Sequence, residues 1–286
     1  MKNRTVARLL YAEEVDMNGA PVRQPFPTGQ VDQIDPFLML HHVTTISPDI
    51  DPGKAGIGPH PHRGFSPVTF IYKGGVHHRD SRRNNSVVYE GGTQWMDAGM
   101  GIMHSERPPH DIQERGGVQE IIQIWVNLPR KYKMSQPYYQ PLHANETPVV
   151  TGEGYEVQVV TGRFQEIKGP IRTLTPLLIL RLTLKAGATI EVPIPESYHA
   201  VLYLLDGQIF LKGHGMIEGH YAVELNSDGE GCTLTAKQDT RILLLAGEPI
   251  DEEVSMYGPF VMNTQLEVMQ AMRDYQLGKM GILIED

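Results

Sequence analysis

The chain of 286 residues is long enough for two domains of about 140 residues that each bury a core of their own. Its 34 acidic and 25 basic side chains leave a formal charge of −9, which disfavours direct binding to the nucleic-acid backbone because that binding needs a clustered positive face. Cys232 is the single cysteine, so the chain forms no internal disulfide, and no apolar run approaches the roughly 20 residues that cross a bilayer. We therefore expect a cytoplasmic protein that binds neither membranes nor nucleic acid.

Short strands are predicted along most of the chain. Apolar and polar residues alternate with a period of two, and turn residues bound these runs in a chain with 29 glycines and 21 prolines. In the segment EIIQIWVNL, for example, Ile122, Ile124 and Val126 share one face. In LLILRLTLK, Leu180 and Leu182 do the same. Many short strands at even spacing predict an all-β chain built from sandwiches or barrels.

Two pairs of polar residues in the first half each share one strand face. The segment PHPHRGF carries His60 and His62, and residues two apart leave the same face of an extended chain. Further along, the segment IMHSE carries His104 and Glu106 at the same spacing. Strands of one closed barrel can bring such pairs together across its interior. Three imidazoles and one carboxylate around one point form a candidate metal site.

The chemistry of these four side chains narrows the choice of metal. Three neutral nitrogens and one anionic oxygen suit a first-row divalent ion such as Fe, Mn, Ni, Cu or Co better than Mg or Ca, which prefer all-oxygen shells. Zinc could take the same ligands, but it tends to close into a tetrahedral site without a position for substrate. A six-coordinate ion would keep two positions open for a substrate and dioxygen.

The other histidines are assigned no ligand role. The adjacent pairs at 41–42 and 77–78 alternate in direction, so at most one histidine of each pair can face the site. In the second half, His199, His214 and His220 have no partner two residues away. We interpret these three as polar surface residues or as structural hydrogen-bond donors.

The chain is predicted to divide near its middle. The segment from Pro129 to Thr151 is rich in proline and polar residues and is interpreted as the connection between two halves. We predict domains over residues 1–135 and 151–286, joined by a linker at 136–150.

A weak internal repeat supports this division. PVTFIYKGGVHH and AVLYLLDGQIFLKG both predict a strand, a glycine turn and a second strand, and they align with Gly74 on Gly207. The positions that correspond to the four candidate ligands are then occupied, in order, by Pro193, Pro195, Lys237 and Asp239. Because proline and the lysine ammonium offer no lone pair to a cation, the second half is predicted to bind no metal.

One helix is predicted near the C-terminus, in the segment NTQLEVMQAMRDYQLGK. Asn263 or Thr264 can cap its start, and Gly278 suits its end. Its apolar residues at helical spacing are assigned to core packing: Leu266, Met269, Met272 and Tyr275.

Four motifs resemble those of the pirins, a family of bicupins in the cupin superfamily: DPFLML, HPHRGF, QWMDAGMGIMHSE and YGPFVMNT. The resemblance implies two cupin jelly-roll barrels packed face to face, with a short C-terminal helix and with metal in the N-terminal barrel alone. The ligands that it implies are the four that the spacing selects: His60, His62, His104 and Glu106. It implies one divalent transition metal ion per chain, with iron first and Mn, Ni, Cu, Co or Zn as alternatives.

The sequence departs from the family pattern at two positions. Ser66 stands where many pirins have a glutamate after HPHRGF, so the groups that orient the imidazoles are expected to differ. Met100 stands where relatives often have a polar or basic residue, and we expect it near the site entrance. Asp80 and Ser81 match a recurring family segment to which the sequence assigns no role.

The resemblance implies two functions of different classes. The first is a metal-dependent dioxygenase of the quercetin 2,3-dioxygenase type, which opens the ring of a flavonol or similar small aromatic substrate with dioxygen, and in which Glu106 is both ligand and catalytic base. The alternative is a non-catalytic iron protein that senses redox state and acts through a protein partner. A metal-free storage bicupin is a third hypothesis, but such a protein would not need the pairs His60–His62 and His104–Glu106.

Overall fold

The structure is a computed structural model that describes residues 1–17, 20–47 and 56–285. The described strands of the first half, in chain order, are β1 Val6–Tyr11, β2 Glu13–Met17, β3 Ala20–Phe26, β4 Phe37–Ser47, β5 Ile57–His62, β6 Phe65–Lys73, β7 Gly75–Asp80, β8 Asn85–Tyr89, β9 Thr93–Asp97, β10 Ile102–Arg107, β11 Gly117–Asn127 and β12 Tyr138–Leu142. Those of the second half are β13 Val149–Gly152, β14 Tyr155–Thr161, β15 Arg163–Phe164, β16 Ile167–Lys168, β17 Leu177–Leu184, β18 Thr189–Pro193, β19 His199–Asp206, β20 Gln208–Leu211, β21 Gly215–Glu218, β22 Tyr221–Leu225, β23 Gly231–Ala236, β24 Thr240–Gly247, β25 Ser255–Tyr257 and β26 Phe260–Met262.

Helices are few in the described part of the chain. The α-helices are α1 His110–Arg115 and α2 Gln265–Gln276, and short 3-10 turns lie at Arg130–Tyr132 and Ala144–Glu146. None of these helices is long and apolar enough to cross a bilayer. The predicted all-β class with a short C-terminal helix is confirmed.

The chain forms two compact units, which we call barrel 1 and barrel 2. Barrel 1 comprises Val15–Val22, Met39–Ala144 and Ile250–Asp286, and barrel 2 comprises Met1–Glu14, Arg23–Leu38 and Asn145–Pro249. These units differ from the predicted division into residues 1–135 and 151–286, because each barrel includes a segment from the far end of the chain. The C-terminal segment joins barrel 1 since its apolar side chains share a buried cluster with Met103 of β10.

The segment predicted as a linker also contains paired strands. β12 pairs with β9 in barrel 1, and β13 pairs with β14 in barrel 2. Pro141 lies in β12, at the edge of its sheet, where proline costs no ladder hydrogen bond. A proline-rich composition therefore marked an edge strand here as well as a connection.

Each barrel contains a seven-stranded and a four-stranded sheet within the described ranges. The order in barrel 1 is β12-β9-β6-β11-β4-β3-β2 and β5-β10-β7-β8, and the order in barrel 2 is β1-β22-β19-β24-β17-β14-β13 and β18-β23-β20-β21. The chain passes from the large to the small sheet at Gly74 in one barrel and at Gly207 in the other, with φ of 80° and 79°. Both turns need a left-handed backbone, which glycine adopts without strain. The predicted repeat register at these two glycines is thus matched by the topology.

The interior of barrel 2 is filled with apolar side chains. Val192 and Cys232 are fully buried neighbours on β18 and β23, and Leu234 and Ala236 continue the same buried face. By sheet order β23 is the counterpart of β10, so the predicted equivalence of Lys237 and Asp239 with His104 and Glu106 is wrong by a few positions.

Strand β11 follows the predicted alternation, because Ile122, Ile124 and Val126 are at most 1% exposed and the residues between them are less buried. Period-two burial of this kind is the expected signature of a strand with one face toward a packed interior. In β17, Leu180 and Leu182 are also at most 1% exposed, but Ile179 and Arg181 are buried too, so this strand is covered on both faces as far as Leu182.

Helix α2 begins and ends as predicted but buries a different face. Thr264 caps its N-terminus in a capping box with Glu267, and Gly278 follows its last turn with φ of 71°. The buried residues of the helix are Val268, Ala271 and Asp274. The predicted core stripe is wrong in three of its four members, which are exposed: Leu266 at 77%, Met269 at 63% and Tyr275 at 41%.

Candidate metal centre

The candidate ligands lie on two adjacent strands of the small sheet in barrel 1. β5 and β10 are antiparallel, with His104 directly opposite His60 and with Ile102 opposite His62. β5 is the edge strand of this sheet, so its two prolines are tolerated. The period-two geometry of β5 and the cross-strand pairing with β10 together aim three imidazoles at one place.

Three histidine side chains form a tight group there. One ring nitrogen from each of His60, His62 and His104 lies within 4.8 Å of the others, and the Nε2 atoms of His60 and His62 are 3.1 Å apart. Two nitrogens bound at right angles to one ion, each at about 2.1 Å, would be about 3 Å apart. The spacing of the two Nε2 atoms therefore allows both to bind one ion.

The imidazoles are suited to bind a cation as neutral ligands. Burial, followed by the neighbouring His60, holds the pKa of His62 well below its ordinary value, although the carbonyl of Pro259 acts in the opposite direction. The pKa of His104 is lowered in the same way, first by burial and then by the other histidines. The Nδ1 of His60 lies 2.8 Å from the carbonyl of Gly58, which fixes Nδ1 as the donor and leaves Nε2 with its lone pair.

His104 supplies the observation that tests the fit of a metal ion. Its side chain is 2% exposed, and neither Nδ1 nor Nε2 has a hydrogen-bond partner among the residues that the structure describes. Buried ring nitrogens without partners are costly and rare, whereas a bound cation would satisfy one of them. The residues present therefore fit a transition metal ion held by imidazole nitrogens.

Glu106 lies on the same strand but is not part of the histidine group. Its Oε1 accepts a hydrogen bond from the hydroxyl of Thr69 at 2.8 Å, and its Oε2 accepts one from the amide of Gln123 at 2.7 Å. Gln123 also donates to Thr69 at 3.1 Å. A carboxylate can accept further bonds beyond these two, so both oxygens are oriented yet still able to bind.

A small cavity lies beside His104 and Glu106. It leaves about 10 Å³ for the centre of a water molecule, which is close to the space of one water. Its other lining residues are Pro67, Thr69, His78, Gln94, Met96 and Tyr139.

His78 is the site residue whose place the sequence left open. It lies opposite Glu106 on β7, donates from Nε2 to Oδ2 of Asp80 at 3.0 Å, and stacks on the ring of Tyr139 at 3.9 Å between centroids. Its ring centroid is 5.4 Å from that of His104. The spacing of His78 and Asp80, two residues apart, was the signal that could have placed this pair on the same face as the candidate ligands.

Asp80 has a structural role that the sequence did not assign. Burial alone would raise its pKa, but hydrogen bonds from His78 and Asn84 outweigh this and lower the pKa. Its Oδ1 also accepts from the backbone amides of Arg82 and Asn84, which closes the turn between β7 and β8. Asp80 therefore links that turn to the ring orientation of His78.

The two departures from the family pattern lie away from the lining of this cavity. Ser66 is 1% exposed and donates to Asp97 at 2.6 Å, on the face of β6 opposite to that of Pro67 and Thr69. The effect of Ser66 on the groups that orient the imidazoles therefore stays a prediction. Met100 accepts a hydrogen bond from Arg63 through its carbonyl.

The chain matches two family models in sequence order. Residues 19–126 match the Pirin model, and residues 179–281 match the model of the pirin C-terminal cupin domain. Pirin-like protein 2 of Arabidopsis thaliana is 36% identical, over 98% of this chain and 86% of the relative. A Pseudomonas aeruginosa protein provisionally named a quercetin 2,3-dioxygenase is also 36% identical, over 92% of each chain.

Solved structures of similar fold agree with the family models. The crystal structure of a quercetin 2,3-dioxygenase from Acinetobacter baumannii covers 99% of this chain and 100% of its own, with 33% identity and a TM-score of 0.91. The bacterial pirin YhhW of Escherichia coli, solved in complex with nickel(II), shares the fold with a TM-score of 0.68, at 18% identity and over 85% of this chain and 99% of its own. From this fold, the histidine group in barrel 1 and the identity across nearly the whole length, the chain belongs to the pirin family.

Proposed function

We propose that this chain is a metal-dependent dioxygenase that opens the ring of a flavonol or a similar small aromatic substrate in the cytoplasm. In this proposal His60, His62, His104 and Glu106 hold one divalent transition metal ion, iron before Mn, Ni, Cu, Co or Zn. The observation that carries the proposal is the convergence of three imidazole nitrogens within 4.8 Å, two of them on buried rings whose lowered pKa keeps them neutral. The name of the Acinetobacter baumannii structure supports the choice of reaction.

A bound ion would supply Lewis-acid polarisation of a substrate hydroxyl and open positions for substrate and dioxygen. The protein's own contribution starts with Glu106. Its carboxylate is aimed by Thr69 and Gln123, so it can take the proton of that hydroxyl without first rotating. His62 and His104 remain neutral and offer ring nitrogens to the ion, and the stacked pair of His78 and Tyr139 lines the cavity beside His104.

The substrate is expected to approach from the side of His60. The cavity beside His104 holds about one water molecule and is far smaller than a flavonol. His60, in contrast, is partly exposed, and Trp125 is a partly exposed aromatic ring 5.5 Å from the ring of His62. An aromatic substrate could pack against Trp125 while one oxygen meets the ion.

The test begins with elemental analysis of protein purified without chelators, followed by anaerobic addition of quercetin with optical spectra. We expect about one metal ion per chain and a shift of the flavonol absorption band. We also expect consumption of quercetin when oxygen is admitted.

The matched variants are His62→Ala and His77→Ala. His62→Ala should lose most of the metal and the spectral shift, while His77→Ala should retain both because His77 lies on the opposite face of β7 and is bonded to Asn85. Metal binding without any consumption of quercetin or related aromatics would contradict the enzymatic proposal and support a non-catalytic iron protein. Full metal content in His62→Ala would contradict the assigned ligands.

A further inference from the structure

The C-terminal segment, residues 250–285, is part of barrel 1 and lies directly behind the candidate metal centre. Three of its contacts are made by residues that immediately follow residues of the site in sequence: Arg63 after His62, Ser81 after Asp80 and Arg107 after Glu106. Arg63 pairs with Asp274, Ser81 donates to the carbonyl of Met280, and Arg107 pairs with Glu285. Because neighbouring residues of a strand face opposite sides, the segment packs on the outer face of the sheet whose inner face carries the ligands.

Arg63 connects the two ligand-bearing strands. Its Nε donates to the carbonyl of Met100 at 2.7 Å, in the turn that precedes β10. Its NH1 group donates to Oδ2 of Asp274 at 2.9 Å, and the Arg63 side chain is only 4% exposed. One guanidinium therefore fixes the corner after His62 relative to the turn before His104, and Asp274 fixes the guanidinium.

Asp274 is itself held in place from the other side. Its Oδ1 accepts from the amide of Gln270 at 2.7 Å and from the ammonium of Lys279 at 2.8 Å. Lys279, together with Arg63 and Gln270, lowers the pKa of Asp274 to about 2 although burial opposes this shift. The carboxylate thus stays charged and has little freedom to rotate.

The backbone beside Arg63 is equally close to the segment. The amide of Val261 donates to the carbonyl of Arg63 at 3.0 Å, and a Cβ on Gly64 would lie 1.9 Å from the carbonyl oxygen of Val261. Glycine is therefore required at this corner, which also has a φ of 87°. The segment reaches the corner by main-chain pairing as well as by the buried ion pair.

We propose that Asp274 is a positioning residue for the metal centre. Through Arg63 it fixes the His62 corner and the turn before His104, so that the imidazoles are held close together before an ion arrives. This inference rests on the proposed metal site but not on the proposed reaction.

The test is the affinity of metal-free protein for Ni²⁺, measured by competition with a chromophoric chelator. Asp274→Asn should weaken Ni²⁺ binding by about 10- to 100-fold, the range seen when groups that orient metal ligands are removed. Glu253→Gln removes a carboxylate from an exposed position of the same segment and should leave the affinity unchanged. The optical spectrum of the Ni²⁺ complex should change in Asp274→Asn and not in Glu253→Gln.

A purely structural role would give a different result. In that case Asp274→Asn would lower the melting temperature of the metal-free protein, yet bind Ni²⁺ within twofold of the wild type, and the proposal would be wrong. If Asp274→Asn fails to fold, Arg63→Lys is the second test, because it keeps the charge but cannot bridge Met100 and Asp274. An unchanged affinity of Arg63→Lys for Ni²⁺ would overturn the proposal. Failure of the wild type itself to bind Ni²⁺ would instead refute the metal site.

Discussion

At the scale of single residues, the site combines groups with different degrees of constraint. His62 and His104 are buried and have lowered pKa, so they are neutral before any ion binds. Glu106 supplies the one carboxyl group of the site, and two neutral donors hold its oxygens. Neutral nitrogens give affinity for transition metals, whereas a single oriented carboxylate can exchange a proton with substrate. In this proposal Glu106 therefore has two tasks, as a metal ligand and as the proton acceptor, whereas the histidines are ligands alone.

Glu106→Gln separates these tasks. The amide oxygen can still accept from Gln123, and the amide nitrogen can donate to the hydroxyl of Thr69, so the side chain keeps its place. We expect part of the metal affinity to remain and turnover of quercetin to fall by about 100-fold or more, because the amide cannot take the proton. Turnover is measured by oxygen consumption at saturating metal.

The control for this variant is Thr69→Val, which removes one donor to Glu106 and leaves the carboxylate. It should keep far more activity than Glu106→Gln. Equal turnover of Glu106→Gln and wild type at saturating metal would show that water or another group accepts the proton.

Lys133 gives a prediction about stability and pH. Its Nζ donates to the carbonyls of Gly64 and Val261 and to Oδ1 of Asn127, at 2.7 to 3.1 Å, and the side chain is 1% exposed. Burial lowers its pKa to about 7. In the unfolded chain the group stays protonated up to its ordinary pKa near 10, so between these values the unfolded state binds more protons and the free energy of unfolding rises with pH.

Above pH 7, we expect the free energy of unfolding to rise with a slope that approaches about 1.4 kcal/mol per pH unit. The measurement is urea unfolding at pH 7 and pH 9 of the wild type and of Lys133→Met, which lacks the titrating group. Lys133→Met should be less stable at both values, because three acceptors lose their donor. An equal pH dependence of the two proteins would mean that the three acceptors hold the ammonium at its ordinary pKa.

The sequence predicted the histidine group well and its surroundings poorly, for a physical reason. Spacing of two along one strand is a local property, so His60 and His62 could be paired without any knowledge of the fold. The direction of His78 depends on the pairing of β7 with β10, which is a long-range property. The contact between Arg63 and Asp274 spans 211 residues and leaves no local pattern.

At the scale of elements, the ends of helix α2 were predicted correctly, but its buried face was not. Its cap and its end are set by local chemistry at Thr264 and Gly278, and both were predicted. The buried face is set by what the helix packs against. Asp274 is buried because Arg63 pairs with it, while Leu266 and Met269 remain exposed. Hydrophobicity alone therefore selected the wrong stripe.

The observed face of α2 predicts unequal effects of truncation. Val268 is 5% exposed and packs in the cluster that includes Met103, whereas Met269 is 63% exposed. Val268→Ala should lower the free energy of unfolding by about 1–3 kcal/mol, and Met269→Ala should change it by less than about 0.5 kcal/mol. Urea unfolding of both variants at one pH checks this. A larger loss of stability in Met269→Ala than in Val268→Ala would mean that the helix face predicted from the sequence, which includes Met269, is the buried one.

At the scale of the whole molecule, the two barrels share one topology but divide the roles. The order of strands and the glycine corners at Gly74 and Gly207 correspond. The inner face of the small sheet in barrel 2 carries apolar side chains such as Val192 and Leu234. The inner face of the small sheet in barrel 1 carries the imidazoles. The repeat was visible in the sequence near the glycines and was lost at β23, because β20 and β21 are shorter than their counterparts β7 and β8.

This division predicts one metal ion per chain, in barrel 1 alone. Among the described residues, the only group of three or more potential ligands is that of His60, His62 and His104. The counterpart strands of barrel 2 offer Cys232 as their one soft donor, and burial raises the pKa of its thiol to about 12, which disfavours the thiolate that a metal would need. We expect a stoichiometry of one by elemental analysis and a single anomalous scattering peak per chain in crystals of the metal-loaded protein. A peak inside barrel 2, or no peak between the three histidines and Glu106, would contradict the assignment and would require a donor set that the apolar interior of barrel 2 does not provide.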